Sequence, residues 1–131
     1  MTSDVATTPP PATWSAPVRY AEVDQQRIVF NSHYLIYCDE AMGAFCAQHG
    51  ILDEAQRLHL VASSLSWRAS ARWGDVVDVH ASCVRVGVSS LVIQFVVSVA
   101  GVECCTVETT YVHALDGRSA PLPDTVRSAL D

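Results

Sequence analysis

Asp24 closes an apolar, strand-like run, "VRYAEVD", about seven residues before an amphipathic stretch begins at "NSHYLIYCDEA". A helix N-terminus offers unpaired backbone N–H groups and a partial positive charge. Such donors can hold a carbonyl oxygen that becomes an oxyanion. A carboxylate near the same point can attack the carbonyl carbon or take a proton from water. Together they form a minimal acyl-transfer site with no metal and no cofactor. On spacing alone, the stronger reading is that Asp24 caps a turn.

Other candidate groups are fewer. Glu40 is a second carboxylate, beside the apolar stripe of the same stretch. His49, His59, His80 and His113 make no recognisable constellation, and there is no G-x-S-x-G and no Gly-rich phosphate loop. The five cysteines (Cys38, Cys46, Cys83, Cys104 and Cys105) include no C-x-x-C and no zinc-like Cys–His spacing. They read as reduced, mostly buried thiols of a cytoplasmic protein. Cys104 and Cys105 should point to opposite faces of a strand.

The elements that must position Asp24 follow from pattern. Pro17 to Asp24 reads as a first strand, with Val18 and Tyr20 on one side. A loop through Gln25, Gln26 and Arg27 precedes the helix. Asn31 or Ser32 is its N-cap, and Tyr34, Tyr37, Cys38, Ala41, Met42 and Phe45 form its buried stripe. Gly50 stops it. "LDEAQRLH" is a short, weaker helical turn.

The period then changes to two. Val61, Leu65, Trp67, Ala69 and Ala71 share one strand face, and Ser64, Ser66, Arg68 and Ser70 the other. "RWGD" ends that strand. A strand over Val77 to Cys83, a turn at "VGVSS", the doubly apolar "LVIQFVVSVA" and "VECCTVETTYVHALD" follow. "PLPDTVRSAL" reads as a final short helix. Helix and strands segregate, which indicates an α+β fold with an antiparallel sheet. One helix covers one sheet face, so the other face should pack on a second copy.

The 131 residues suffice for one domain. Residues 1–13, rich in Ser, Thr, Pro and Ala, read as a disordered arm, and 14–131 as the folded domain. Half of the residues are hydrophobic and 17% are charged, a globular composition. The net charge is −6, with eight basic residues and no basic cluster, which argues against nucleic acid and anionic membrane as partners. No apolar run reaches transmembrane length, and the N-terminus lacks the pattern of a secretory signal.

The segment "RYAEVDQQRIVFNSHYLIYCDEA" resembles the signature of 4-hydroxybenzoyl-CoA-thioesterase-like hot-dog proteins, R-Y-x-E-x-D-x-x-G-x-V-(Y/F)-x-x-x-Y-L-x-x-x-(D/E)-E-A. "ARWGD", "VRVGVSSL" and "PLPDTVRSAL" sit where that family has similar segments, so the likeness covers about Trp14 to Leu130. It implies a single hot-dog domain: a long central helix wrapped by an antiparallel sheet of about five strands. It also implies an acyl-CoA thioesterase without a cofactor, assembled as a dimer or a dimer of dimers (a homotetramer).

By that resemblance Asp24 takes the place of the catalytic carboxylate, as nucleophile or general base. Asn31 starts the helix, and its backbone N–H would polarise the thioester carbonyl. Many relatives carry His at that place; here the imidazole is at His33, either within reach of the site or an ordinary first-turn residue. Tyr34 is either core or a border of the acyl pocket. Family sites lie between protomers, which makes Ser63, Ser64 and Ser66 candidates for the pocket wall. Arg85, Ser89 and Ser90 are candidates for CoA phosphates, against a plain reading as solvated strand or turn residues. A non-catalytic acyl-CoA or acyl-carrier binding module is the rival function. A hydratase is the weakest reading, because no convincing His–carboxylate pair is present.

Arg27 departs from the pattern, where Gly is usual and a positive φ is allowed. Three outcomes follow: the loop shifts and catalysis survives, Arg27 pairs with Asp24, or Arg27 recognises an acidic acyl group or a CoA phosphate. The first is the expectation taken forward.

Overall fold

The structure is a computed structural model and describes residues 10–131. Helix α1 spans His33–Gln48 and buries Tyr34, Tyr37, Cys38, Ala41, Met42 and Phe45, the stripe that the spacing predicts, together with Cys46. Ser32 holds the cap position, but its hydroxyl makes no cap bond. The start is instead wound tightly. The N–H groups of His33, Tyr34 and Leu35 donate to the carbonyls of Phe30, Asn31 and Ser32, at 2.9, 3.4 and 3.2 Å. Beyond the other end, Gly50 takes a φ of 70°, as a helix stop requires.

The described strands are β1 (Trp14–Pro17), β2 (Leu58–Trp67), β3 (Val76–Val86), β4 (Ser90–Val99), β5 (Val102–Leu115) and β6 (Arg118–Ser119). Two short helices, α2 (Leu52–Ala55) and α3 (Asp124–Leu130), complete the chain. All pairings are antiparallel. The order is β1-β3-β4-β5-β2, with β6 on β5. The doubly apolar β4 is central, and its Leu91, Ile93, Phe95 and Val97 are fully buried. The sheet curls around α1 in a single hot-dog domain.

Helix α1 packs on β1, β3 and β4. The β5–β2 half of the same face is less covered. Leu60 pairs with Tyr111 and Trp67 with Cys105, so both lie on the helix side, yet they are 48% and 46% exposed. Ser63 and Leu65 between them are half-buried.

Two boundaries differ from expectation. The first strand is Trp14–Pro17, paired with Val76–Val79, and a 3₁₀ turn at Tyr20–Glu22 replaces its expected continuation to Asp24. Arg19 N–H donates to Glu22 Oε1 at 2.8 Å, and Glu22 N–H to Arg19 O at 2.9 Å. This reciprocal pair winds the chain and turns Glu22 inward. Strand β2 stops at Trp67 rather than continuing to Ala71. Arg68 and Ala69 both donate to Cys104 O, at 2.8 and 3.3 Å, so the ladder cannot advance. Cys104 is the extra residue of a bulge: Val97 pairs with Cys105 and Ser98 with Glu103. The bulge buries both Cys104 and Cys105, against the expected alternation, and all five cysteines are free.

Most of the expected N-terminal arm falls in residues 1–9, outside those described. Thr13 runs beside β3, with its N–H on Val79 O at 2.8 Å. Among the described residues, no helix is long and apolar enough to cross a membrane.

Candidate active site

Residues 68–75 carry the chain from β2 to β3 along the end of the sheet, and the Asp24 loop is zipped onto them. Val29 N–H donates to Ala71 O at 2.8 Å, Ile28 bridges Arg72, and Trp73 N–H donates to Arg27 O at 3.1 Å. The loop closes on itself. Asp24 N–H donates to Ile28 O at 3.0 Å, Arg27 N–H to Asp24 O at 2.9 Å, and Phe30 N–H to Glu22 O at 2.9 Å. Asp24 is exposed at the tip. Its Oδ1 accepts Gln26 N–H at 2.8 Å, while Oδ2 accepts no hydrogen bond among the described residues. The carboxylate is thus held by one oxygen and open at the other.

Arg27 takes a φ of 64°, the left-handed conformation that Gly would adopt freely. The loop has not moved to relieve it, contrary to the expectation taken from the sequence, because the bonds on both sides clamp the turn. The expected alternative of an ion pair with Asp24 is also not formed: Arg27 makes no ion pair among the described residues. Its guanidinium carbon lies 5.8 Å from the centre of the Trp73 ring.

A cleft of about 360 Å³ opens beside the start of α1, lined by Val29, Asn31, Tyr34, Trp67, Arg68, Ala69 and Ser70. The Asn31 and Ser32 N–H groups donate to no acceptor among the described residues. Tyr34 is buried and fixed: its hydroxyl accepts Ala71 N–H at 3.0 Å, and its ring meets Trp67 edge-on at 6.2 Å. Burial pushes the Tyr34 phenol above its ordinary value, so it stays neutral. Asp24 is not a lining residue; it stands on the turn that leads to Val29 and Asn31.

His33 is directed at Glu22 and Tyr37. Its Nε2 lies 3.9 Å from Glu22 Oε2. Glu22 is the residue that the sequence reading left without a role. It is 3% exposed and carries four hydrogen bonds, from Arg19 N–H (2.8 Å), Arg19 Nε (3.1 Å), Arg19 Nη2 (2.9 Å) and Tyr37 Oη (3.0 Å). Burial raises its carboxyl, but the Arg19 and Tyr37 bonds outweigh it and hold the group below its ordinary value. The one available signal was the Arg19–Glu22 spacing of three residues. Glu40, the competing carboxylate, lines a separate cleft of about 270 Å³ with Trp14, Arg19, Glu22 and Tyr37.

The remaining candidates divide by face and by end. Ser63 pairs with Thr109 on the helix side, its Oγ 2.8 Å from Thr109 Oγ1. Ser64 and Ser66 point to the opposite face. Arg85, Ser89 and Ser90 lie at the β3–β4 turn, roughly 30 Å along β3 from Val76 at the Asp24 end. One chain does not bring them to Asp24. Among the described residues, no group of three His, Cys, Asp or Glu could hold a metal ion.

A family model described as the thioesterase-like superfamily matches residues 18–130. No curated protein matches the chain. Among solved structures, a hypothetical protein from Thermus thermophilus is 29% identical, with a TM-score of 0.84 over 89% of this chain and 95% of its own. A thioesterase from Thermus thermophilus, complexed with coenzyme A and Zn, is 24% identical, with a TM-score of 0.83 over 89% of each chain. A 1,4-dihydroxy-2-naphthoyl-CoA thioesterase from Synechocystis is 21% identical, with a TM-score of 0.79 over 89% of this chain and 93% of its own.

Proposed function

The chain belongs to the thioesterase-like superfamily, and from that premise we propose that it hydrolyses an acyl-CoA thioester to a free acid and CoA. What supports this reading is that one loop carries both an Asp24 carboxylate oxygen without a hydrogen bond and, at its far end, Asn31 and Ser32 N–H groups without an acceptor, among the described residues. A thioester carbonyl bound between them would have a base or nucleophile on one side and oxyanion donors on the other.

In the general-base route, Asp24 takes a proton from water and the hydroxide adds to the carbonyl carbon. The tetrahedral oxyanion is held by Asn31 N–H. The C–S bond then breaks, and the CoA thiolate leaves and is protonated. In the nucleophilic route, an Asp24 oxygen adds to the carbonyl and expels the thiolate, and water hydrolyses the resulting mixed anhydride. The Asn31 side chain takes no part in either route, so its amide is replaceable.

The site is completed between two copies, in a dimer or a dimer of dimers. The half-covered helix-side face along Leu60, Ser63, Leu65 and Trp67, rather than the opposite sheet face expected from the sequence, supports this, because it leaves apolar side chains of an edge strand in water. A second copy running antiparallel also offers its Arg85 end to the Asp24 end of the first, where CoA phosphates would lie.

The test is a hydrolysis screen over short, long and aromatic acyl-CoA esters. Wild type turns over at least one class, and Asp24→Asn lowers kcat roughly 10²–10⁴-fold. Equal rates for the two proteins remove Asp24 from the chemistry. Saturable binding without turnover across the panel favours the rival acyl-CoA binding module, a reading that Arg27 at a Gly-like φ keeps in play.

A further inference from the structure

Arg27 is a cation mounted on a rigid turn, three residues from Asp24. Its N–H and C=O are both engaged, on Asp24 O and Trp73 N–H. Its guanidinium lies over Trp73, which meets Tyr20 edge-on at 5.1 Å. Trp73 and Tyr20 are 48% and 68% exposed, so the pair forms an open aromatic bracket. Arg27 has no carboxylate partner among the described residues, although the chain carries a net charge of −6. Gly would satisfy this backbone at lower cost, so what Arg adds is its side chain: a forked set of N–H donors that matches a carboxylate in geometry.

Charge supplies the next step. An anionic acyl group brought to Asp24 meets a like charge, and a cation carried on the same turn offsets that repulsion. We propose that Arg27, braced on Trp73, selects acyl-CoA thioesters whose acyl group carries its own carboxylate a few bonds from the thioester carbonyl; this rests on the thioesterase reading above. CoA phosphates share the anionic chemistry. The pantetheine arm, however, sets them much further from the thioester than a carboxylate on a short acyl chain. Arg27 and Asp24 are joined across a single tight turn, which favours the nearer group.

The experiment compares succinyl-CoA with butyryl-CoA in wild type, Arg27→Gly and Arg27→Lys. In wild type, kcat/KM favours the succinyl ester by roughly tenfold or more, the size of a hydrogen bond to a charged group. In Arg27→Gly the ratio collapses towards one, mainly through KM, and Arg27→Lys recovers part of it. A second arm measures binding of the non-hydrolysable thioether analogues of both esters by calorimetry, and the same preference and the same loss are expected there. That arm separates the two readings: preference in binding without any turnover keeps the role of Arg27 and removes the thioesterase. A wild-type ratio near one in both arms overturns the proposal. So does an equal loss on both CoA esters in Arg27→Gly that vanishes on the matching pantetheine esters, because Arg27 would then serve the phosphates.

Discussion

Tyr37 donates its phenolic O–H to Glu22 Oε1 at 3.0 Å and so ties the residue two before Asp24 to the second turn of α1. Both residues are almost fully buried. The bond connects the two elements that the proposed chemistry needs in register, the Asp24 loop and the helix start. Tyr37→Phe removes one bond to a buried carboxylate, leaving Glu22 Oε1 on Arg19 N–H. A loss of about 1.5–3 kcal/mol is expected, read as a lower urea midpoint at unchanged slope. An unchanged midpoint would mean that the loop is held without this bond.

Glu22 also sets an acid limit. Its folded-state carboxyl lies below the ordinary value of 4.5, and the causes are burial, which opposes the shift, and the Arg19 and Tyr37 bonds, which win. A carboxyl with a depressed folded value contributes stability that is present above its unfolded value and lost as pH falls through the folded one. Glu22→Gln removes this titration. The variant is expected to be less stable than wild type near neutral pH, with the difference shrinking as pH drops below 4.5. Parallel stability–pH curves for the two proteins would remove Glu22 from the acid response.

Much of the fold around this candidate site is legible in the sequence, and the reasons are local. The α1 stripe follows from side chains three and four apart, Gly50 from a backbone need, and the central place of β4 from apolar residues on both faces. The mark at Arg27 was legible too, because Arg stands where a left-handed residue belongs. What was not legible depends on pairing across the chain. Nothing near Trp67 announces that Cys104 O takes two donors and ends the strand. Apart from the three-residue spacing of Arg19 and Glu22, nothing in "RYAEVD" separates an alternating strand from a 3₁₀ turn, and that difference decides whether Glu22 faces solvent or the core. The wide separation of Arg85 from Asp24 within one chain likewise follows from strand order, which no short pattern encodes.

Arg27→Gly tests the backbone as well as the substrate. Removing Cβ relieves a left-handed cost of about 1–2 kcal/mol. Against this stand the greater unfolded-state freedom of Gly, about 0.4–1 kcal/mol, and the lost contact with Trp73, about 0.5–1 kcal/mol. These nearly cancel, so stability is expected to stay within about 0.5 kcal/mol of wild type by urea unfolding. A near-neutral result lets any change in substrate preference be assigned to the side chain. A loss of several kcal/mol would mean that the Arg27–Trp73 contact holds the loop.

The thiols give a test of the core that is independent of the site. Burial pushes Cys38 up to about 12 and Cys46 and Cys105 up to about 11, with the neighbouring Cys105 and Asp39 adding to the Cys38 shift. Cys104 is raised as well, and Cys83 is raised although its side chain is only half-buried, with its S–H on Arg85 O at 3.5 Å. The thiolate is the reactive form, so a disulfide reagent at about pH 8, near the ordinary thiol value, meets almost none of it in the native core. Cys83 is expected to react first and slowly, and all five after denaturation. The sign for stability follows. Groups whose folded values are raised contribute stability that is lost as pH rises past the unfolded thiol range, because the unfolded chain then releases protons that the folded chain keeps. Rapid labelling of Cys104 or Cys105 in the native protein, located by peptide mapping, would place that residue outside the packed bulge, and the bulge could then no longer be what ends β2 at Trp67.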